Sequence, residues 1–328
     1  MIIPCLVSCQ SADLIPYLAK QGFGQGSLIL KSRSIEDVIK DPNTRSQVLA
    51  SLTLATDVVK FAESEMGMKT GKNYRRFVEL QRPYVTQIVT AAHKDKLESF
   101  MFSYPIFGKL PYKGFFEEAD AIALEESLKT QGYDTYRRPV EAFSTAGWLP
   151  DPLTSAMLSS PARLIELLFH ELTHSTFYFS GEADFNEAFA SWMGYQTALV
   201  YIEKSTRPDK DVLKKELTDG KEFQTELSRV VKSVLAHGKL AYGQSDSKNL
   251  EKARNEFFAW AKSEFEKSPV LKNWGQKQEW NNARLLALGT YYSQVPKIEE
   301  YANKNNLGPK EFLKLVEETG PAIIQKIF

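Results

Sequence analysis

The 328-residue chain has only two cysteines and four histidines, and each scarcity excludes something. Cys5 and Cys9 both fall in the first nine residues. The body of the protein therefore has no thiol for a disulfide core or a thiolate metal site. Excess charge is missing too: Lys+Arg and Asp+Glu each number 41, a formal net charge of zero. That balance removes the electrostatic basis for a nucleic-acid partner, and none is expected. No run of about eighteen apolar residues occurs, so no segment reads as a membrane-spanning helix. Internal repeats and low-complexity linkers are absent as well. The length allows a large buried core, arranged as one large domain or two tightly joined ones.

Two of the four histidines are used in one motif, His170-Glu171-Leu172-Thr173-His174. Residues four apart share a helical face, so both imidazoles can reach a single metal ion. Glu171 then lies beside the open coordination position, placed to act as general base toward a water. Ser160-Pro161 supplies an N-cap serine and a proline at the first helical position. Leu164, Leu167, Leu168, Phe169 and Leu172 follow as a broad apolar face. The bland alternative is a core helix whose histidines are merely hydrogen-bonded.

A hydrolytic zinc site takes three protein ligands, and Glu187 is the candidate for the third. It opens a second apolar helix, and a short connection turning at Ser180-Gly181 returns that helix antiparallel to the first. Asp184 to Glu187 also reads as a capping box, a purely structural use of the same glutamate. Against that, Glu187 sits among Phe185, Ala188, Phe189 and Trp192, where a carboxylate needs a partner or a metal. Asn186 and Ser191 are candidates for orienting the ligands.

The pair His170-Glu171-Leu172-Thr173-His174 and Asn186-Glu187-Ala188-Phe189-Ala190 resembles the gluzincin pattern, two histidines followed by a glutamate on the next helix. The second segment is similar to the signature of the large zinc aminopeptidases. The nearer resemblance is to a family of predicted zinc aminopeptidases of mainly Gram-negative bacteria. Further family-like segments are Arg82-Pro83-Tyr84-Val85, Leu110 to Phe116, Ala142 to Trp148 with Asp151-Pro152, and Asn281 to Leu285. The His174–Glu187 gap is shorter than in the large aminopeptidases, so their pocket details do not carry over. The resemblance implies a zincin-like fold, one Zn²⁺ per chain held by His170, His174 and Glu187, and a peptide substrate. The word aminopeptidase rests on this resemblance alone.

Leu6-Val7-Ser8-Cys9 looks like a lipobox, and the family's members often begin with a lipoprotein signal. Residues 1–10 are accordingly read as a signal remnant. The expected location is periplasmic, with a lipid on Cys9 tying the chain to the envelope; an accidental match would leave it cytoplasmic. Residues 11–328 form the metallopeptidase domain, with a helical and sheet part over about 11–155 and a helical part over 156–328. Helix is expected over 34–66 in two pieces, then at 116–130, 161–179, 185–204, 211–237, 247–267, 281–292 and 310–318. Strand character marks Tyr84 to Ala92, Phe102 to Phe107, Tyr133 to Tyr136 and Ala142 to Trp148. The fold class is α+β, helix-rich, a small strand-containing N-terminal half packed on a helical half that carries the metal. In zincins an edge strand binds the substrate backbone, and Ala142 to Trp148 is the candidate, or else an ordinary strand.

Other roles are less determined by sequence. Tyr112, Tyr291, Tyr292 and His237 are candidates for stabilising an oxyanion. Arg284 reads as a substrate-carboxylate ligand or, more commonly, a structural cation. His93 reads as a surface loop residue. An aminopeptidase needs an acid to hold the substrate amine, and Glu141, Glu182 and Asp184 are all open to that role. Two rival functions stand beside hydrolysis: a structural zinc protein acting as sensor or assembly factor, and an envelope lipoprotein that binds a partner through its helical half.

Overall fold

A computed structural model describes residues 14–104, 108–142, 150–243, 249–292 and 294–328. The chain starts with helix α1 (Leu14–Lys31), then strand β1 (Arg33–Ser34) and helices α2 (Ile35–Lys40) and α3 (Ser46–Ser64). Six strands and one helix follow: β2 (Arg76–Val78), β3 (Thr86–Ala92), β4 (Phe102–Tyr104), β5 (Gly108–Leu110), β6 (Tyr112–Phe115), α4 (Glu118–Thr130) and β7 (Asp134–Val140). A last short strand, β8 (Leu153–Thr154), leads through a 3-10 turn into helix α5 (Pro161–Thr176). From there the chain is helical: α6 (Ala183–Lys204), α7 (Lys210–Gly243), α8 (Leu250–Lys267), α9 (Lys272–Gln276), α10 (Asn282–Tyr292), α11 (Val295–Lys304), α12 (Pro309–Thr319) and α13 (Ala322–Ile327). The α+β, helix-rich class holds, with the strands in the N-terminal half.

The strands make three small sheets. In the main one, β3 lies between β6 and β7, antiparallel to both, with Ile88 opposite Gly114 on one side and Arg138 on the other. Nearly every β3 residue is buried, because α4 and α10 both pack on it. A strand covered on both faces reads as continuously apolar rather than strictly alternating. A second sheet joins β1, β2 and β8, with β2 and β8 parallel, and β4 pairs with β5. The expected strand at Ala142 to Trp148 falls almost wholly outside the described residues, as do Cys5 and Cys9.

The largest core runs from α2 and α3 through α5 and α6 to α11, α12 and α13. Helix α3 belongs to this core of the helical half although it lies early in the chain. Phe169, Phe185 and Phe189 are essentially sealed from solvent within it. Each such ring contributes about 1.5–3 kcal/mol by burial, so α5 and α6 are held rigidly before any ligand is considered. A second cluster gathers α7, α8 and α10 around Phe257 and Phe265.

Sheet and helical half are joined by a buried polar hub. The Asp134 carboxylate, at the start of β7, accepts from Arg254 Nη2 at 3.0 Å and from the Asn282 amide at 2.9 Å. The second contact places a negative charge at the N-terminus of α10, where the helix dipole favours it. Asn282, fully buried, donates to the His93 carbonyl at 2.8 Å and accepts from Tyr242 at 2.9 Å, while Asn281 donates to the Thr135 carbonyl at 2.9 Å. The Asn281 to Leu285 segment is thus a joint between the two halves. Asp134→Ala strands Arg254 and the α10 amide, and is expected to cost about 3 kcal/mol in urea denaturation. A loss below about 0.5 kcal/mol would show that the hub carries no load.

Candidate metal centre

Helix α5 begins as its sequence requires. The Ser160 side chain accepts from the Arg163 amide at 3.1 Å, and Pro161 occupies the first turn. The helix stops at Thr176, three residues before the expected end, because Phe177 is already extended (φ −150°, ψ 155°). The chain then turns and re-enters helix at Ala183. Asn186 fixes this turn from both sides: its amide donates to the Phe179 carbonyl at 2.8 Å, and its carbonyl oxygen accepts from the Phe179 amide at 3.1 Å. Asn186 therefore positions Glu187 through the loop, not by bonding a ligand. Ser191 shows no hydrogen bond to a ligand among the described residues. The capping-box reading of Asp184 and Glu187 fails, since α6 starts at Ala183 with Glu182 at the N-cap.

Helices α5 and α6 form the most extensive element contact of the fold. Gly194 is what lets them approach at the site. A Cβ there would meet the Glu166 carbonyl oxygen at 2.9 Å and the His170 Cβ at 3.2 Å, so any larger residue pushes α6 away from His170.

Three side chains converge between the helices. His170 Nε2 and His174 Nε2 stand 3.2 Å apart, and the Glu187 carboxylate lies 3.6 Å from the first and 3.7 Å from the second. Ligand atoms held 2.0–2.1 Å from a tetrahedral zinc would be about 3.3 Å apart, so the spacing fits such an ion. Two ring nitrogens this close also need a proton or a cation between them. Among the described residues these three form the one candidate metal group, and no fourth His, Cys, Asp or Glu joins it.

The electrostatics suit a cation. Glu187 is held down at about 2: burial works against its charge, but His174 and His170 outweigh it. His174 is pushed down to about 4 by burial, so its imidazole is neutral at pH 7 and free to ligate. Burial also opposes charge on His170, yet its contact with Glu187 and the charges of Glu171 and Glu187 hold its pKa above the ordinary value. Glu171 is buried and pushed up to about 7, mainly by desolvation.

Several expected residues lie elsewhere. His237 stacks on Trp260 with centroids 3.8 Å apart. Tyr112 lies on β6, where its carbonyl accepts from Tyr104. Arg284 sits over the Tyr136 ring at 4.3 Å, a structural cation. His93 packs edge-on against Tyr133. The side chains of Tyr291 and Tyr292 lie outside the described residues. Of the acids, Glu141 is 3.8 Å from Arg163, whereas Asp184 is raised by burial and then by Glu182 and Glu187. One neighbour escaped the sequence reading: Tyr178, half-exposed, whose hydroxyl feels the Glu187 charge. No spacing signal marked it, because α5 ends at Thr176 and Tyr178 lies beyond the helix.

A family model described as putative aminopeptidase matches residues 16–322. The chain belongs to that family. No curated protein and no solved structure matches it.

Because Glu171 binds its proton more tightly folded than unfolded, the metal-free protein loses stability as pH rises from about 4.5 to about 7. Glu171→Gln removes that burden. Metal-free Glu171→Gln is expected to exceed the metal-free parent by up to about 3 kcal/mol at pH 8 and to match it near pH 4. Thermal melting at the two pH values checks this, and an equal effect at both would contradict a buried, high-pKa carboxylate.

Proposed function

We propose that this protein is a zinc-dependent peptidase of the aminopeptidase type, with Glu171 as general base. The observation that carries the reading is the convergence of His170, His174 and Glu187 with a buried carboxylate next in sequence to the first ligand. Two imidazoles and one carboxylate are a donor set that suits zinc. A zinc ion held there would supply a Lewis acid for the scissile carbonyl and make a water acidic enough to attack near neutral pH.

The chain's own groups do the rest. Glu171 accepts a proton from the attacking water as its oxygen bonds to the carbonyl carbon. It then passes that proton to the amide nitrogen as the C–N bond breaks. A carboxyl near neutrality is suited to both halves of this transfer. Tyr178, raised by burial and then by the Glu187 charge, is the hydroxyl we assign to the developing oxyanion. Asp184 and Glu182, at the start of α6, are the acids we assign to the substrate's free ammonium group. A donor set of three with no fourth side chain among the described residues favours hydrolysis over a structural zinc site, which is normally closed by four.

The test is Glu171→Gln with its zinc content verified, assayed on aminoacyl arylamides and short peptides. Zinc should stay, and kcat/KM should fall by about 10³-fold. Activity within a few-fold of the parent would overturn Glu171 as base.

A further inference from the structure

The last turn of α5 is gripped by the loop that precedes β2. The Lys69 amide donates to Thr176 Oγ1 at 3.0 Å, and the Asn73 side chain donates to Ser175 Oγ at 2.9 Å. Ser175 is four residues past Glu171, so the two share one face of the helix. The loop therefore lies along the face that carries Glu171, and Tyr74 follows Asn73 directly. Tyr74 is buried in the same core as Leu168 and Leu172, with 3% of its surface exposed. It lies within electrostatic reach of both Glu171 and Asp151, and Asp151 lies within reach of Glu171.

The backbone at Tyr74 is strained. Its φ is 56°, in the left-handed region that a bulky side chain seldom enters and glycine enters freely. Two hydrogen bonds to one residue hold that conformation. The Tyr74 amide donates to the Asp151 carbonyl at 2.8 Å, and the Asp151 amide donates to the Asn73 side-chain oxygen at 2.9 Å. Asp151 is itself buried, and its carboxylate accepts from Gln25 at 3.1 Å, so α1 backs the same lock. Strain held in place by its surroundings clusters where a site needs a group fixed. We propose that Tyr74 is a positioning residue for Glu171, steadying through its hydroxyl the carboxylate that takes the proton from the attacking water. The inference rests on the reading of Glu171 as general base. A tyrosine that only filled the core would act through its ring, and the hydroxyl would be dispensable.

Tyr74→Phe keeps the ring and removes the hydroxyl. In the zinc-loaded protein, kcat on an aminoacyl arylamide should fall about tenfold or more, with KM and zinc content unchanged. Tyr201→Phe, which strips a phenol from the same core on α6, should leave kcat as it is. A second measurement does not depend on activity. In the metal-free protein, Tyr74→Phe should lower the melting temperature by about 2 °C more in the parent than in the Glu171→Gln background. Equal melting losses in the two backgrounds, an unchanged kcat in Tyr74→Phe, or an equal fall in Tyr201→Phe would overturn the proposal. A parent without peptidase activity would overturn the general-base reading instead, and the melting comparison would still decide whether Tyr74 holds Glu171.

Discussion

The antiparallel contact of α5 and α6 is the constraint on which the rest of the site depends. His170 and His174 come from one helix, Glu187 from the other, and only a close approach brings their donor atoms within 4.8 Å of one another. Gly194 permits that approach, Asn186 sets the turn that makes it antiparallel, and the aromatic packing of Phe185, Phe189 and Phe169 holds it. Helix α3 also packs on α5. The Thr70–Tyr74 loop then braces the last turn of α5: Asn73 donates to Ser175 at 2.9 Å, and Ser175 donates to the Glu171 carbonyl at 3.2 Å. The ligands thus stand on rigid elements, as an efficient site requires.

That scaffold also creates an electrostatic problem. Two carboxylates and two imidazoles share a poorly solvated space, and their pKa values are driven apart. Glu187 keeps its charge through the imidazoles, while Glu171 is raised mainly by burial. The outcome is a division of labour. One carboxylate is ionised over the whole physiological range and can ligate; the other sits near neutrality and can move protons. A bound dication would take the ionised Glu187 and neutral His174 as the site already favours them, and would displace the proton that His170 favours.

Much of this was legible in the sequence, for identifiable reasons. Ser160, Pro161 and the apolar face announced α5, and the four-residue spacing announced that His170 and His174 share a face. The start of α6 was misplaced by two residues because Asp184 looks like a cap, whereas the helix already begins at Ala183. Helix α1 was missed altogether. Gly22, Gly24 and Gly26 argue against a helix on local preference, while Pro16 falls in the first turn where proline is tolerated; docking on the sheet half, with Gly24 against Phe116, holds the helix. The short strands β1, β2 and β8 were also missed, since two or three residues carry no periodicity to read. Among the family-like segments, buried Asp151 lies within electrostatic reach of Glu171, while others tie the fold together. Asn281 and Asn282 join sheet to helices, and Arg82 clamps the carbonyls of Tyr84 and Val85.

The central claim is that His170, His174 and Glu187 hold a zinc ion, and elemental analysis of the purified chain beside Glu187→Ala tests it most directly. The account predicts about one zinc per parent chain and a large loss in the variant, with both proteins folded. A parent that neither carries zinc nor takes it up on reconstitution, or a variant that binds it equally well, would contradict the account.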